Sequence, residues 1–178
     1  MVKGKQGYTS KKALPLLDTV EIAFEWAVKT LARRPLTTKA IEKKLLIRTN
    51  NISRVTTVIH RLATCGYLDD RKFIESFIST RLRRGSYSRC KLKRELLTRE
   101  LPEKLVNEII EKLVKPELEL VQLSMIIERK TKVWSSLANE KKLAKLYNYL
   151  LRQGFSEEAI RNQFQHSWNR FQEVLESI

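Results

Sequence analysis

The residues best placed to do chemistry here are cations. Arg83, Arg84, Arg89, Lys91 and Arg94 cluster around Tyr87 in the stretch Arg83-Arg84-Gly85-Ser86-Tyr87-Ser88 and the segment after it. A basic loop leading into a helix N-terminus suits phosphate groups or an acidic groove, because guanidinium and ammonium groups add to the partial positive charge of the helix end. Tyr87, in a turn among arginines, could stack on a base, enter a protein pocket or simply pack locally.

Other chemistries find little foothold. No glycine-rich phosphate loop, His-Glu-x-x-His or Gly-x-Ser-x-Gly motif occurs, so the chain does not read as an enzyme and no cofactor is expected. Asp69-Asp70 directly follows a helix-ending Gly66 and opens an apolar-periodic segment, which suits a helix cap better than a metal site. His60 and His166 have no second ligand at useful spacing and read as structural, while Cys65 and Cys90 read as reduced thiols. The first residues lack a signal-peptide stretch and no apolar run approaches a membrane span, so a cytoplasmic protein is expected.

The elements that carry these residues are helices. Five Gly and 4 Pro in 178 residues leave too little turn punctuation for many strands. Asp18-x-x-Glu21 reads as a capping box for a helix ending before Pro35. Thr37 or Thr38 caps a second, and a third begins near Asn51 to Ser53 and stops at Gly66. A fourth runs from Asp69-Asp70 to Gly85, Ser88 caps a fifth, and Pro102 opens a sixth at its first helical position. Residues 117–134 form a seventh with Leu118, Val121, Leu123, Met125 and Ile126 inward, an eighth starts near Glu140, and Ser156 caps a ninth holding Ile160, Phe164, Trp168, Phe171 and Leu175.

These helices repeat. A shift of 51 overlays Thr37 on Ser88, Arg48 on Arg99, Leu45-Leu46 on Leu96-Leu97 and Val55, Val58 and Leu62 on Val106, Ile109 and Leu113. A looser shift of 54 carries Leu96-Leu97 to Leu150-Leu151 and Val106 to Ile160. Matching caps as well as core positions implies an all-α, elongated array of three tandem three-helix repeats, at 18–68, 69–115 and 116–178, after a flexible basic arm at 1–17.

The net charge of +15 is distributed by repeat. Residues 29–48, 81–100 and 129–152 each net +6, the arm adds +4, and the remainder is acidic. The cations Arg33, Arg34, Lys43 and Lys44 in the first segment and Lys141, Lys142 and Lys145 in the third therefore join the central group as candidate contacts for a long polyanionic or acidic partner.

The stretch Gly66-Tyr67-Leu68-Asp69-Asp70-x-x-Phe73-Ile74-Glu75-Ser76-Phe77-Ile78, with Arg81-Leu82-Arg83-Arg84-Gly85 and Leu92-x-x-Glu95-Leu96, closely resembles the central signature of the RecX family. Leu31-Ala32-Arg33-Arg34-Pro35-Leu36-Thr37 with Ile41-Glu42-x-Lys44-Leu45 is similar to its first repeat, and Leu150-Leu151-Arg152-Gln153-Gly154-Phe155-Ser156 with Ile160 to its third. The chain departs from the family's Gly-aromatic turn after the second helix of a repeat, carrying Thr49-Asn50-Asn51 and then Glu100-Leu101-Pro102. The resemblance implies a non-enzymatic modulator, expected as a monomer, that lies in the groove of the RecA filament on single-stranded DNA. It would restrain RecA ATPase, recombinase and coprotease activities in DNA repair and the SOS response. The cations named above then become candidate contacts to RecA or to single-stranded DNA, with double-stranded DNA as a further ligand. A stand-alone DNA-binding protein and an adaptor for another acidic protein are the alternatives.

Overall fold

The computed structural model describes residues 16–85, 87–133 and 140–164, with side chains at 16–85, 87–130 and 144–164. The basic arm up to residue 15, the connection 134–139 and the helix-9 aromatics Trp168 and Phe171 lie outside the described residues, as does His166. Nine helices occur among those described: α1 (Val20–Arg33), α2 (Thr38–Leu46), α3 (Ile52–Thr64), α4 (Asp70–Arg84), α5 (Arg89–Leu97), α6 (Glu103–Leu113), α7 (Pro116–Val133), α8 (Glu140–Arg152) and α9 (Glu157–Gln163). They form three bundles within two compact units, the first ending at Leu68 and the second beginning at Asp69.

In the first unit α1 and α2 pack against α3. The apolar period of each helix closes on a core of Ala23, Ala27, Ile41, Leu45, Val55, Val58 and Leu62. Each fully buried Leu or Ile contributes about 1.5–3 kcal/mol. Leu17, placed by the sequence at the end of the arm, is only 2% exposed and belongs to this core. Its N–H donates to the Arg48 carbonyl at 3.1 Å, and its own carbonyl accepts from Arg54 Nη1 at 2.9 Å.

In the second unit α4 and α5 pack on α6 around Ile74, Ile78, Leu92, Leu96, Val106 and Ile109. Helices α7 to α9 close on Leu123, Ile126, Leu146, Leu150, Phe155 and Ile160. The 51-residue repeat is visible in atomic detail. Helices α2 and α5 have bounds 51 apart at both ends, and each is capped by a buried hydroxyl, Thr37 or Ser88, that accepts from the N–H three residues on. Trp26 and Phe77 also stand 51 apart. The guanidinium of Arg48 lies 4.7 Å from the first ring and that of Arg99 lies 4.6 Å from the second, so one cation–π contact recurs in both bundles.

Three expectations are corrected. The α1 cap is Thr19, whose Oγ1 accepts from the Ile22 N–H at 3.2 Å, and not Asp18; the hydroxyl sits one residue nearer the first helical turn. Pro102 is the N-cap of α6, not its first helical residue, and makes no side-chain cap bond. On α7, Val121 and Met125 face outward at 52% and 42% exposure, while Gln122, Leu123 and Ile126 are buried. That helix carries apolar residues on two adjacent stripes, so periodicity alone could not choose between them.

The departing turn after α5 is resolved by strain. Glu100 takes a left-handed φ of 57°, the only non-Gly residue with positive φ among those described. The residue 54 positions on, after α8, is Gly154 with φ 85°. A side chain in that region pays the Cβ penalty that glycine escapes. Replacing Glu100 with Gly should raise the midpoint of chemical unfolding, stabilising the protein by about 0.5–1 kcal/mol, the inverse of the usual glycine cost.

Asp69 caps α4, its Oδ1 accepting from the Lys72 N–H at 2.9 Å. That hydrogen bond, reinforced by the Lys72 charge, holds its pKa below the usual carboxylate value of 3.8. The capping contribution is therefore present above that value and fades as the pH falls through the lowered one. Asp69→Asn should keep the cap at neutral pH while flattening the acid limb of a stability-against-pH profile.

Candidate nucleic-acid and protein interface

The central basic group sits on the turn between α4 and α5, and the third bundle of the same unit holds that turn in place. At the C-terminal end of α4, free carbonyls carry partial negative charge. There Gln122 Nε2 donates to the Leu82 carbonyl at 3.4 Å, Arg129 Nη1 to the Arg84 carbonyl at 3.2 Å, and Arg129 Nη2 to the Gly85 carbonyl. At the N-terminal end of α5 the polarity reverses. A carboxylate meets it: Glu119 Oε1 accepts from the Arg89 N–H at 2.9 Å. Both ends of the turn are thus met by α7 side chains of the sign that each helix end favours.

Ser88 links the turn to α8. Its hydroxyl donates to the Gln153 carbonyl at 2.6 Å and accepts from the Lys91 N–H at 3.0 Å, with the residue fully buried. Backbones approach closely at two glycines. A Cβ on Gly154 would stand 2.8 Å from Ser88 Oγ, and one on Gly85 3.2 Å from Arg129 Nη2 and 3.3 Å from Met125. Both glycines have positive φ, 85° and 54°.

The sequence-nominated residues separate on this frame. Arg83 and Arg84 are exposed in the last turn of α4, with no ion-pair partner among the described residues. Tyr87 is half-buried between cations, its ring 5.1 Å from the Arg81 guanidinium and 4.5 Å from Lys91 Nζ. Arg81 in turn pairs with Glu95 at 3.2 Å and lies 4.8 Å from the Phe77 ring. Lys91 also donates to Gln153 Oε1. Arg94 is exposed, with Nη2 3.4 Å from the Arg152 carbonyl, and Arg89 is half-buried. The turn therefore brings Arg83, Arg84, Tyr87, Arg89 and Lys91 together, but Tyr87 and Lys91 are partly engaged in holding it.

Lys145 is exposed on α8; Lys141 and Lys142 belong to the same helix, with side chains outside the described residues. In the first unit Arg33, Arg34 and Lys43 are exposed and Lys44 is half-buried. Sequence reasoning passed over Gln122, Glu119 and Arg129. Gln122 in an apolar helix was a signal, since a buried amide requires partners.

Elsewhere some charges pair across helices. Lys93 meets Glu103 at 2.7 Å and its hydrogen bond and charge lower that carboxyl's pKa; Arg71 meets Glu108 at 2.8 Å. Burial, then the nearby Glu157 carboxylate, raises the pKa of Tyr147. Among the described residues no group of His, Cys, Asp and Glu could hold a metal ion, and no helix is long and apolar enough to cross a membrane.

Three three-helix bundles in series, with cations displayed around a braced turn, define an all-α repeat protein. Residues 69–110 match the family model described as the second three-helix domain of RecX. The regulatory protein RecX of Thermus thermophilus is 33% identical over 107 residues, 60% of this chain and 70% of that one. The RecX of Trichlorobacter lovleyi is 25% identical over 140 residues, 78% and 91% of the two chains. The crystal structure of RecX from Lactobacillus salivarius superimposes with a TM-score of 0.72 at 20% identity, over 84% of this chain and 97% of that one, a likeness of fold. The chain belongs to the RecX family of regulatory proteins, which are not enzymes.

The Ser88 contacts can be measured directly. Ser88→Ala removes a helix cap and a buried hydrogen bond at once and should cost about 1–2 kcal/mol in denaturant unfolding. A change within a few tenths would mean that Ser88 does not brace the turn.

Proposed function

We propose that this protein binds the RecA filament on single-stranded DNA and restrains it, lowering RecA ATPase, recombinase and coprotease activity in DNA repair and the SOS response. Membership in the RecX family is the observation that carries this reading. The exposed Arg83 and Arg84 support it, being fixed on a braced turn where an acidic groove or phosphates would meet little reorganisation. Arg33, Arg34, Lys43, Lys44, Arg89, Arg94, Lys141, Lys142 and Lys145 supply further contacts to RecA or DNA, and Tyr87 and Lys91 contribute through the surface that they hold. The three bundles act as tandem repeats of one monomeric, cytoplasmic chain. Several modest contacts on one chain reinforce one another by effective concentration, and preference for one state of RecA shifts its assembly.

The test is ATP hydrolysis by the cognate RecA on single-stranded DNA, with this protein titrated far below the DNA sites at two salt concentrations. Inhibition at such ratios, weakened in Arg83→Ala/Arg84→Ala, is expected. Inhibition only when the DNA is saturated, vanishing with salt, would make the protein a competitor for DNA and sink the filament reading.

A further inference from the structure

From Lys43 to Leu68 the chain carries five Lys or Arg residues and no carboxylate, an interval that includes all of α3. The exposed side chains of α3 include Ser53, Thr56, Thr57, His60 and Thr64, with Arg61 exposed beside the Phe24 ring at 4.3 Å. These residues are a poor choice for an ordinary solvent face. Ser, Thr and His are weak helix formers, and surface positions of a helix are usually filled by Glu, Lys, Gln or Arg.

The second bundle provides an internal control. Helix α6 occupies the same place in its bundle, with the same apolar spacing toward its core. Yet at the positions 51 residues on from Ile52, Thr57 and His60 it carries Glu103, Glu108 and Glu111. Two of those carboxylates are tied to neighbouring helices through Lys93 and Arg71. The first bundle has lost both halves of each pair: Glu42 and Ile52 stand where Lys93 and Glu103 would be, and Val20 and Thr57 where Arg71 and Glu108 would be. Val20 packs partly against the first core, but core packing does not explain the change on α3, because Ile52, Thr57 and His60 are exposed. Ile52 is left 73% exposed.

We propose that α3 lies in the major groove of double-stranded DNA, with Ser53, Thr56, Thr57 and His60 toward the base edges. The α2–turn–α3 pair, joined by residues 47–51, has the connectivity of a helix-turn-helix, in which the second helix enters the groove by its N-terminal residues. Short hydroxyl side chains permit close approach. Threonine methyls suit thymine methyls, and hydroxyls and imidazole suit base-edge donors and acceptors. The hydroxyls of Thr56 and Thr57 already donate to the Ile52 and Ser53 carbonyls at 3.1 and 3.0 Å, which leaves each oxygen a lone pair with which to accept. The α3 N-terminus, capped by Asn51, and Lys43 and Lys44 in the last turn of α2 favour the phosphates. An acidic helix such as α6 would be repelled from the same place.

This rests on the reading that the chain contacts DNA, and the test separates the two. Full-length protein is titrated against a fluorescein-labelled duplex of about 30 base pairs at several salt concentrations, reading anisotropy. Thr57→Glu/His60→Glu introduces the residues that α6 tolerates at the same positions, so the helix should still fold; a thermal melt checks this. Duplex binding should weaken by about tenfold or more, Thr57→Lys should tighten it, and the matched charge change Ser76→Glu/Ser79→Glu on α4 should leave it within about twofold. Native-like duplex affinity in Thr57→Glu/His60→Glu would overturn the assignment of α3 while leaving DNA contact elsewhere. No duplex binding by the native protein would overturn the assignment of α3 and leave contact with single-stranded DNA standing. Loss of RecA inhibition with unchanged duplex binding would make α3 a protein contact instead.

Discussion

The second unit depends on how the α4–α5 turn is terminated. A turn between two helices presents carbonyls without partners on one side and N–H groups without partners on the other, and burying either uncompensated costs as much as a lost hydrogen bond. Here the termini are met from α7 and α8. Arg129 and Gln122 meet the carbonyl end, Glu119 the N–H end, and the Gln153 carbonyl takes the Ser88 hydroxyl. The charged groups have the sign that the helix dipole favours, so polar contacts tie the two bundles together at this turn. Gly85 and Gly154 permit the approach, since side chains there would meet Arg129 and Ser88.

The same turn displays Arg83 and Arg84, so the contacts that stabilise it also set where these exposed cations stand. Cations concentrated in the last turn of α4 complement its dipole before any partner arrives. Their neighbours Arg81, Lys91 and Arg99 are spent on aromatic faces and hydrogen bonds, which makes a rigid surface from residues that would otherwise be long and mobile. Net charge therefore overstates the number of cations available to a partner.

Duplication explains why the bundles resemble each other and why their differences are informative. The buried hydroxyl caps and the Trp26–Arg48 and Phe77–Arg99 contacts recur because each three-helix core needs the same closure. Surface residues face no such requirement. The α3 and α6 faces have diverged, one into hydroxyls and imidazole and the other into carboxylates held by ion pairs.

Much was legible from the residues alone. Helix periods, the Thr37, Ser88 and Ser156 caps, the all-α class and the 51-residue repeat follow from local rules that act over one or two turns. The family signature around Gly66 to Gly85 was equally readable. What depends on contacts between distant residues was not. Which of two apolar stripes on α7 turns inward, why Gln122 is buried, and which cations of the α4–α5 turn are engaged or open were decided by partners as many as 65 residues away in sequence, as with Ser88 and Gln153. A local pattern states which side chains a helix offers; only the packed neighbour decides which of them it uses, because burial and hydrogen bonding are properties of pairs.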